Sequence, residues 1–470
     1  MKVWTPSWRG DLTWVLLGVL IFGSSSSAGF GFDQGWLAAI SSQQFLRRFG
    51  HYDAVSQEWN LSSFQQSVGT GVGYVGVLLG WPWSLVVAVG VIIESTTKTS
   101  YAQFLVGECA PPSLRGLMAG TYNAFLMVGG FAAALIVYLC HDIPSDWSWR
   151  IVVVAQIAVP AMCWVSLPFL PESPHWLIQH GGLEEAVSAL RYLRGQAFPA
   201  EEEVANLQQA LELECQRLEA SSWADCVTNK INLRRTVICV GGQIFQQAQG
   251  ISFVANYQPV FLSEIGFDEV LLMSVVVYVI AVVANFISMI STDRLGRRRV
   301  LLLSAGVLCA CMMAIGGISA QGTSEMSYRL KVATVVLLML WFFSFQITWG
   351  PLAWVVTSEV PPQQLREKMV TLFGFSAYGT GLVIVFVNPF VQSDIGGSVT
   401  FIYGSISVLS VLFAYFFVPE LRRRSLEQID EMFNEELPTR EFSSYVCRCW
   451  GDVELCGKDE EDVDHIEDRA

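Results

Sequence analysis

The chain is short of charge. Only 15% of its 470 residues are Asp, Glu, Lys or Arg, against about 25% in an ordinary soluble domain. The charges crowd into a few segments. Between them run apolar stretches such as Leu12–Phe32, Leu117–Tyr138, Ile151–Leu170 and Leu330–Val356. Each approaches or exceeds the roughly 20 residues that a helix needs to cross about 30 Å of hydrocarbon. A soluble fold cannot hide so many of these runs. That excludes the soluble classes and leaves an all-α, polytopic membrane protein. A leader signature is also lacking: Gly23–Gly31 is rich in glycine and serine, but it closes a long apolar run rather than a short one. The first run therefore reads as a retained helix.

Paired cysteine spacing is missing too. Of the 11 cysteines most, such as Cys163, Cys239, Cys309 and Cys311, lie in apolar runs, where free buried thiols are the default. Cys447, Cys449 and Cys456 have only His465 nearby and no zinc spacing; palmitoylation is the chemistry left to such a cluster. The soluble segments hold no nucleophile–base pair, metal cluster or phosphate-cradling glycine loop, so neither an enzyme nor a cofactor is expected. The net charge of −14 comes largely from Glu184–Asp225 and Asp452–Asp468. Both read as solvated acidic faces, and no nucleic-acid partner is expected.

What is present is a series of spans at 12–33, 62–95, 117–140, 149–170, 237–262, 270–291, 298–319, 332–357, 369–391 and 399–418. They divide the chain into a first bundle (1–170), a linker (171–235), a second bundle of six helices (236–418) and an acidic tail (419–470). In the linker, Leu183–Leu193 and Glu201–Leu218 repeat apolar residues at helical spacing and read as surface helices. Ser425–Phe433 in the tail is amphipathic as well. Arg115, Arg234 and Arg235, Arg294 with Arg297–Arg299, Arg366 with Lys368, and Arg422–Arg424 fall on one side when the linker is cytoplasmic. Both termini are then cytoplasmic, with Arg47 and Arg48 as exceptions in the loop Ser41–Leu61. That outer loop carries the sequon Asn60-Leu61-Ser62, a candidate glycosylation site.

Two features point to a translocation pathway through an integral, lipid-embedded protein. Gln243, Gln246, Gln247 and Gly250 recur at i, i+3, i+4 and i+7, followed by Tyr257. A polar stripe on a spanning helix must face protein or water, so it lines a cavity or glues two helices together. Asp33 ends the first run inside Phe30-Gly31-Phe32-Asp33-Gln34-Gly35; it is either a functional acid at apolar depth or a solvated cap. A basic turn, Asp293-Arg294-Leu295-Gly296-Arg297-Arg298-Arg299, serves as a charged gate or as a plain positive-inside anchor. Glu108 with Arg115, and Glu359 with Arg366, repeat one spacing in the two halves, as an internally duplicated transporter would.

These residues carry a resemblance. Pro171-Glu172-Ser173-Pro174-His175-Trp176-Leu177, Gln246-Gln247-x-x-Gly250, Gly350-Pro351-x-x-Trp354 with Ser358-Glu359-Val360, Asp293–Arg298, and Pro419-Glu420 with Arg424-Ser425-Leu426-Glu427 stand in the order of the signatures of sugar porters. The chain resembles that family of the major facilitator superfamily, with an opening like fungal hexose and disaccharide permeases. The resemblance implies two helical bundles rocking around a central site. Gln246, Gln247, Gly250, Ser252, Tyr257, Trp354 and Asn123 would bind a sugar-like solute, and Asp33 would carry a proton. Glu108, Arg115, Glu172, Asp293, Arg294, Arg297, Glu359 and Arg366 would form the cytoplasmic charge network. The plasma membrane is the expected location.

The first bundle departs from the family. No charged loop follows Gly80-Trp81-Pro82-Trp83, and Gly107 joins directly to Glu108–Gly116. If 62–81 and 82–95 were separate helices, the 12 or so residues before Glu108 would span about 18 Å as helix, short of about 30 Å. The first bundle is therefore expected to be incomplete around 80–108, giving 10–11 spans instead of 12. The arginine that would face Asp33 is missing with it. Ser252, Ala124, Phe131 and Ala377-Tyr378 replace amide or Asn-Trp positions. That keeps two alternatives to sugar uptake open: export of a less polar metabolite, and a non-transporting receptor or inactive remnant.

Overall fold

The computed structural model describes residues 13, 18, 25, 27–33, 43–53, 58–83, 115–166, 171–195, 198–219, 222–264, 269–320 and 327–445 except 423 and 425. The expected shortening around 80–108 lies largely outside these residues, and so do Glu108 and the cysteines of the tail.

The first half contributes α1 (residues 27–33), α2 (Gln43–Phe49), α3 (Ser63–Trp83), α4 (Arg115–Cys140) and α5 (Trp147–Ser166). Between α2 and α3 a hairpin pairs β1 (His51–Asp53) with β2 (Glu58–Asn60), setting Tyr52 opposite Trp59 and His51 opposite Asn60. Phe45 and Phe49 of α2 stack on Trp149 at the start of α5 and hold the hairpin against this half. The linker folds as α6 (Pro174–Gln179), α7 (Leu183–Arg194) and α8 (Ala200–Glu219), close to the expected surface helices. Ser173 caps α6, accepting from the Trp176 N–H, and Pro174 occupies the first turn, where its missing N–H is harmless. The apolar faces of α6–α8 bury Leu177, Ile178, Ala186, Ala189, Leu190, Val204 and Leu211 together. The Arg191–Glu201 and Arg194–Glu203 ion pairs join α7 to α8. A short turn, α9 (Asp225–Thr228), closes the linker.

The second half holds α10 (Lys230–Ala248), α11 (Gln258–Glu264), α12 (Val270–Leu295), α13 (Arg297–Ser319), α14 (Tyr328–Ile347), α15 (Trp349–Glu359), α16 (Arg366–Ile395) and α17 (Val399–Phe416). Five described stretches are long and apolar enough to cross a membrane by length and composition: Asn123–Cys140, Val270–Ser288, Arg297–Ser319, Tyr328–Glu359 and Arg366–Phe416. Their outer faces leave Leu303, Val383, Phe286 and Val336 exposed. That is costly in water and neutral against lipid tails. The protein is an integral membrane protein.

Two spans read as continuous in the sequence are broken. The run expected at 237–262 leaves α-geometry after Ala248, turns through Gly250 at φ +110° and continues as a wider π turn over Phe253–Tyr257. A Cβ at Gly250 would meet Tyr403 at 3.1 Å and Met312 at 3.2 Å, so both conformation and space demand glycine. The run expected at 332–357 breaks at Thr348 (φ −123°, ψ −90°), immediately before Gly350-Pro351. Proline there has no N–H to continue the ladder, so the chain restarts as α15.

The halves meet along two seams, α3 against α16 and α4 against α12. Within the first half, α1 crosses α4 at backbone contact: a Cβ on Gly31 would lie 1.8 Å from the Leu126 carbonyl oxygen, and one on Gly129 1.8 Å from that of Ala28. After α17 the chain folds back as α18 (Leu426–Asn434), and Phe433 packs edge to face on Phe442 beside the start of α10 and the end of α17.

Candidate functional site

Alpha-helical spacing puts Gln243 and Gln246 on the side of α10 that faces α15, and Gln247 a further 100° round, toward α16. Gln243 donates from Nε2 to the Thr357 hydroxyl at 3.1 Å, and Gln246 donates to the Gly350 carbonyl at 3.3 Å. That carbonyl sits where α14 breaks into α15, so the break supplies the acceptor that holds Gln246. Gln247 donates to Gln246 Oε1 at 3.0 Å and stands beside Gly381 of α16, whose missing side chain also admits the Tyr74 ring of α3. Gln243 and Gln246 thus tie helices together, and Gln247 reaches the seam between the halves.

Aromatic rings link α15 and α16 to α1. Trp354 of α15 packs at 6.0 Å from Phe373 and 6.4 Å from Tyr378 of α16, and Tyr378 meets Phe30 of α1 edge to face at 6.4 Å. Trp354, Tyr378 and Phe30 therefore form a continuous aromatic wall from the second half to the first. Such faces suit the C–H surfaces of a sugar ring, while amides suit its hydroxyls.

The π turn carries further polar groups. Both amide atoms of Gln249 and Gln243 Oε1 are buried without a hydrogen-bond partner among the described residues, while Ser252 and Asn256 face the Tyr74 hydroxyl of α3. An unpaired buried amide costs about 1–3 kcal/mol per group, so a polar occupant would be bound favourably. Tyr257 donates to the Val385 carbonyl at 2.9 Å, with Thr70 of α3 at 2.8 Å from the same hydroxyl. Ser67 adds a bond across this seam, to the Phe386 carbonyl at 2.7 Å.

Asn123 of α4 donates to Asn285 Oδ1 of α12 at 2.5 Å, across the other seam. Asn285 in turn donates to the Ala281 carbonyl at 3.0 Å and to Gln346 Oε1 at 3.3 Å, and Gln346 donates to the Met127 sulfur at 3.3 Å. Asp33, at the end of α1, accepts from Gln156 of α5.

The charge network is partly assembled. Arg297 pairs with Glu359 at 3.1 Å, and Arg366 donates to the Ser358 carbonyl at 3.3 Å. The N-terminus of α13 is capped by Glu420, whose two carboxylate oxygens accept from the Arg297 and Arg298 N–H groups at 2.9 and 3.2 Å. A carboxylate is well placed there, where free N–H groups and the helix dipole meet. Glu172 is exposed just before the α6 cap. The backbones of Arg115, Asp293 and Arg294 are helical, and their side chains lie outside the described ones. Asn60 is exposed on β2.

Beside this network Arg235, almost wholly buried, pairs with Asp430 of α18 and lies over the Phe433 ring at 4.5 Å. Arg234 donates to the Leu437 carbonyl at 2.7 Å and to the Thr439 hydroxyl at 3.0 Å. Cys226 is buried against Leu365 and Met369. Burial pushes its thiol pKa up, Lys368 pulling it back in part.

Gln249, Asn256, Asn285, Gln346 and Glu420 carry bonds or unmet polar atoms here without having been chosen as site residues from the sequence. Asn285 and Gln346 are single amides in long apolar runs, which is the one signal that could have marked them.

Comparison with known proteins follows the same lines. The sequence profile of the family described as "Sugar (and other) transporter" matches residues 85–433. The high-affinity glucose transporter ght2 of Schizosaccharomyces pombe is 27% identical, over 88% of this chain and 86% of that protein. The high glucose sensor RGT2 of Saccharomyces cerevisiae is also 27% identical, over 91% of this chain and 61% of its own length. Among solved structures, the inward-open xylose transporter XylE from E. coli superposes with a TM-score of 0.69 at 18% identity. That alignment covers 89% of this chain and 99% of that one, a likeness of fold.

Proposed function

The chain belongs to the sugar (and other) transporter family, and from that premise we propose that it moves a hexose-like sugar across a membrane by alternating access. The observation that carries this reading is a boundary between the halves that pairs an amide with aromatic rings: Gln247 beside Gly381 and Tyr74, and the ring contacts from Trp354 through Tyr378 to Phe30. Amides recognise hydroxyls, aromatic faces recognise the ring, and a site shared by two halves changes when they rock. Gln246, Gly250, Ser252, Tyr257 and Asn123 frame this site. The Arg297–Glu359 pair and the Glu420 cap hold the cytoplasmic ends, in a network with Glu172, Asp293, Arg294, Arg366, Arg115 and Glu108.

The organisation we assign is a first bundle at 1–170, a cytoplasmic linker at 171–235, a six-helix bundle at 236–418 and a tail at 419–470. Both termini then face the cytoplasm, the membrane is the plasma membrane, and Asn60 on the outer hairpin accepts a glycan. Asp33 is the proposed proton carrier.

A second reading, a receptor that binds sugar without moving it, is supported by the similarity to RGT2. The two separate in reconstituted vesicles. Saturable uptake of labelled hexose supports the carrier, whereas hexose binding with no flux supports the receptor.

A further inference from the structure

The amide chain Asn123–Asn285–Gln346 is a feature that sugar binding alone does not require. Its first member belongs to α4 and the other two to α12 and α14, so it crosses the seam between the halves. Asn285 is 3% exposed and Gln346 also 3%. Each hydrogen-bonding atom of the Asn285 side chain is used: Oδ1 accepts from Asn123, and Nδ2 donates to the Ala281 carbonyl and to Gln346 Oε1. Gln346 lies two residues before the Thr348 break. A Cβ at Gly350, whose carbonyl holds Gln246, would come within 3.0 Å of Gln346 Oε1. The chain therefore runs from the first half to the very break that orients the glutamine stripe.

Resting on the reading of Asn123 as a solute contact, we propose that Asn285 is a positioning residue acting as an internal stand-in for the solute. In the empty protein it occupies the Asn123 amide, holding α4 against α12 and keeping Gln346 turned toward the break. A sugar hydroxyl can accept from the same Asn123 N–H only by displacing Asn285. The bond across the seam is then exchanged for one to the solute, which ties occupancy of the site to the grip of one half on the other. The energetic consequence follows from competition. A ligand that must first release an internal bond binds more weakly, its apparent Kd rising as the inverse of the fraction of protein in which that bond is open.

The test uses the full chain in lipid nanodiscs as wild type, Asn285→Val, Asn123→Ala and the double variant, with D-glucose as probe. The affinity is read by calorimetry, and hydrogen–deuterium exchange of α4 and α12 is read without sugar. Asn285→Val is expected to bind glucose about threefold to tenfold more tightly than wild type, the weight of one hydrogen bond. That gain should vanish in the Asn123→Ala background. Without sugar, each single variant should raise exchange along the α4–α12 seam, and the double variant should add nothing. Weaker or unchanged binding by folded Asn285→Val, or an equal gain without Asn123, overturns the proposal. Should wild type bind no hexose, the sugar reading falls, and the exchange data decide the internal bond by themselves: additive effects of the two variants refute it, non-additive effects sustain it.

Discussion

The hydroxyls of Thr70 and Tyr257 stand 2.8 Å apart, joining α3 of the first half to the π turn of the second. Each hydroxyl also has a carbonyl within reach, Val385 for Tyr257 at 2.9 Å and Gln66 for Thr70 at 2.8 Å, so either can supply the single proton that the pair shares. With the Ser67 bond to the Phe386 carbonyl, this makes a polar clasp in the α3–α16 seam on the side of the hairpin.

Tyr257→Phe removes both bonds and takes a donor from a buried carbonyl, a loss of about 1–3 kcal/mol to the closed seam. The expected result is faster labelling of Ser67→Cys by a membrane-impermeant maleimide in a cysteine-depleted background. Unchanged labelling would mean that the clasp does not hold this face shut.

Gln247 and Gln246 should separate by their effects. Gln247→Ala is expected to weaken hexose binding while leaving the melting temperature of the detergent-solubilised protein nearly unchanged. Gln246→Ala also strips the Gly350 carbonyl of its donor, so melting temperature should fall with affinity. Equal melting profiles for the two variants would contradict these assignments.

The Arg297–Glu359 pair is mostly buried, with side chains 12% and 21% exposed. Breaking one partner of such a pair strands the other, a penalty of about 3 kcal/mol. Arg297→Gln or Glu359→Gln alone should lower thermal stability more than the double variant does. Additive losses would show that each side chain acts through other partners.

At the α1–α4 crossing there is no room for a methyl group, because the nearest atoms to a Cβ on Gly31 or Gly129 are carbonyl oxygens of the facing backbone. Gly31→Ala and Gly129→Ala should each remove the monodisperse peak in fluorescence-detected size-exclusion chromatography. A normal peak would require the two helices to sit further apart than described.

Phe442 is wholly buried beside Phe433, with the Arg234 guanidinium 5.6 Å from its ring. Phe442→Ala is expected to cost about 3–5 kcal/mol locally and to release the tail. Limited trypsin digestion after Arg440 should then run much faster than in wild type, and an unchanged rate would contradict the packing.

Much of this was legible in the sequence, for identifiable reasons. The spans follow from apolar length, and α7, α8 and α18 follow from 3.6-residue periodicity. The glutamine stripe follows from its spacing. The breaks at Gly250 and Thr348 were not legible, since a positive φ and a lost ladder bond leave hydropathy unchanged. The partners within the charge network were not legible: Arg297 reaches Glu359 from a separate helix, and Arg366 turns to a carbonyl. The cap of α13 is supplied by Glu420, 124 positions beyond Gly296, a relation that only the folded chain creates. Asn285 and Gln346 gain meaning only from their neighbours across the seam.

The most direct test of the central claim is uptake of radiolabelled D-glucose by proteoliposomes containing the purified full-length protein, with Gln247→Ala vesicles beside them. Sugar transport predicts saturable uptake that exceeds empty vesicles and is strongly reduced in the Gln247→Ala sample. Uptake no greater than in empty vesicles, from protein that is folded and inserted, would contradict it.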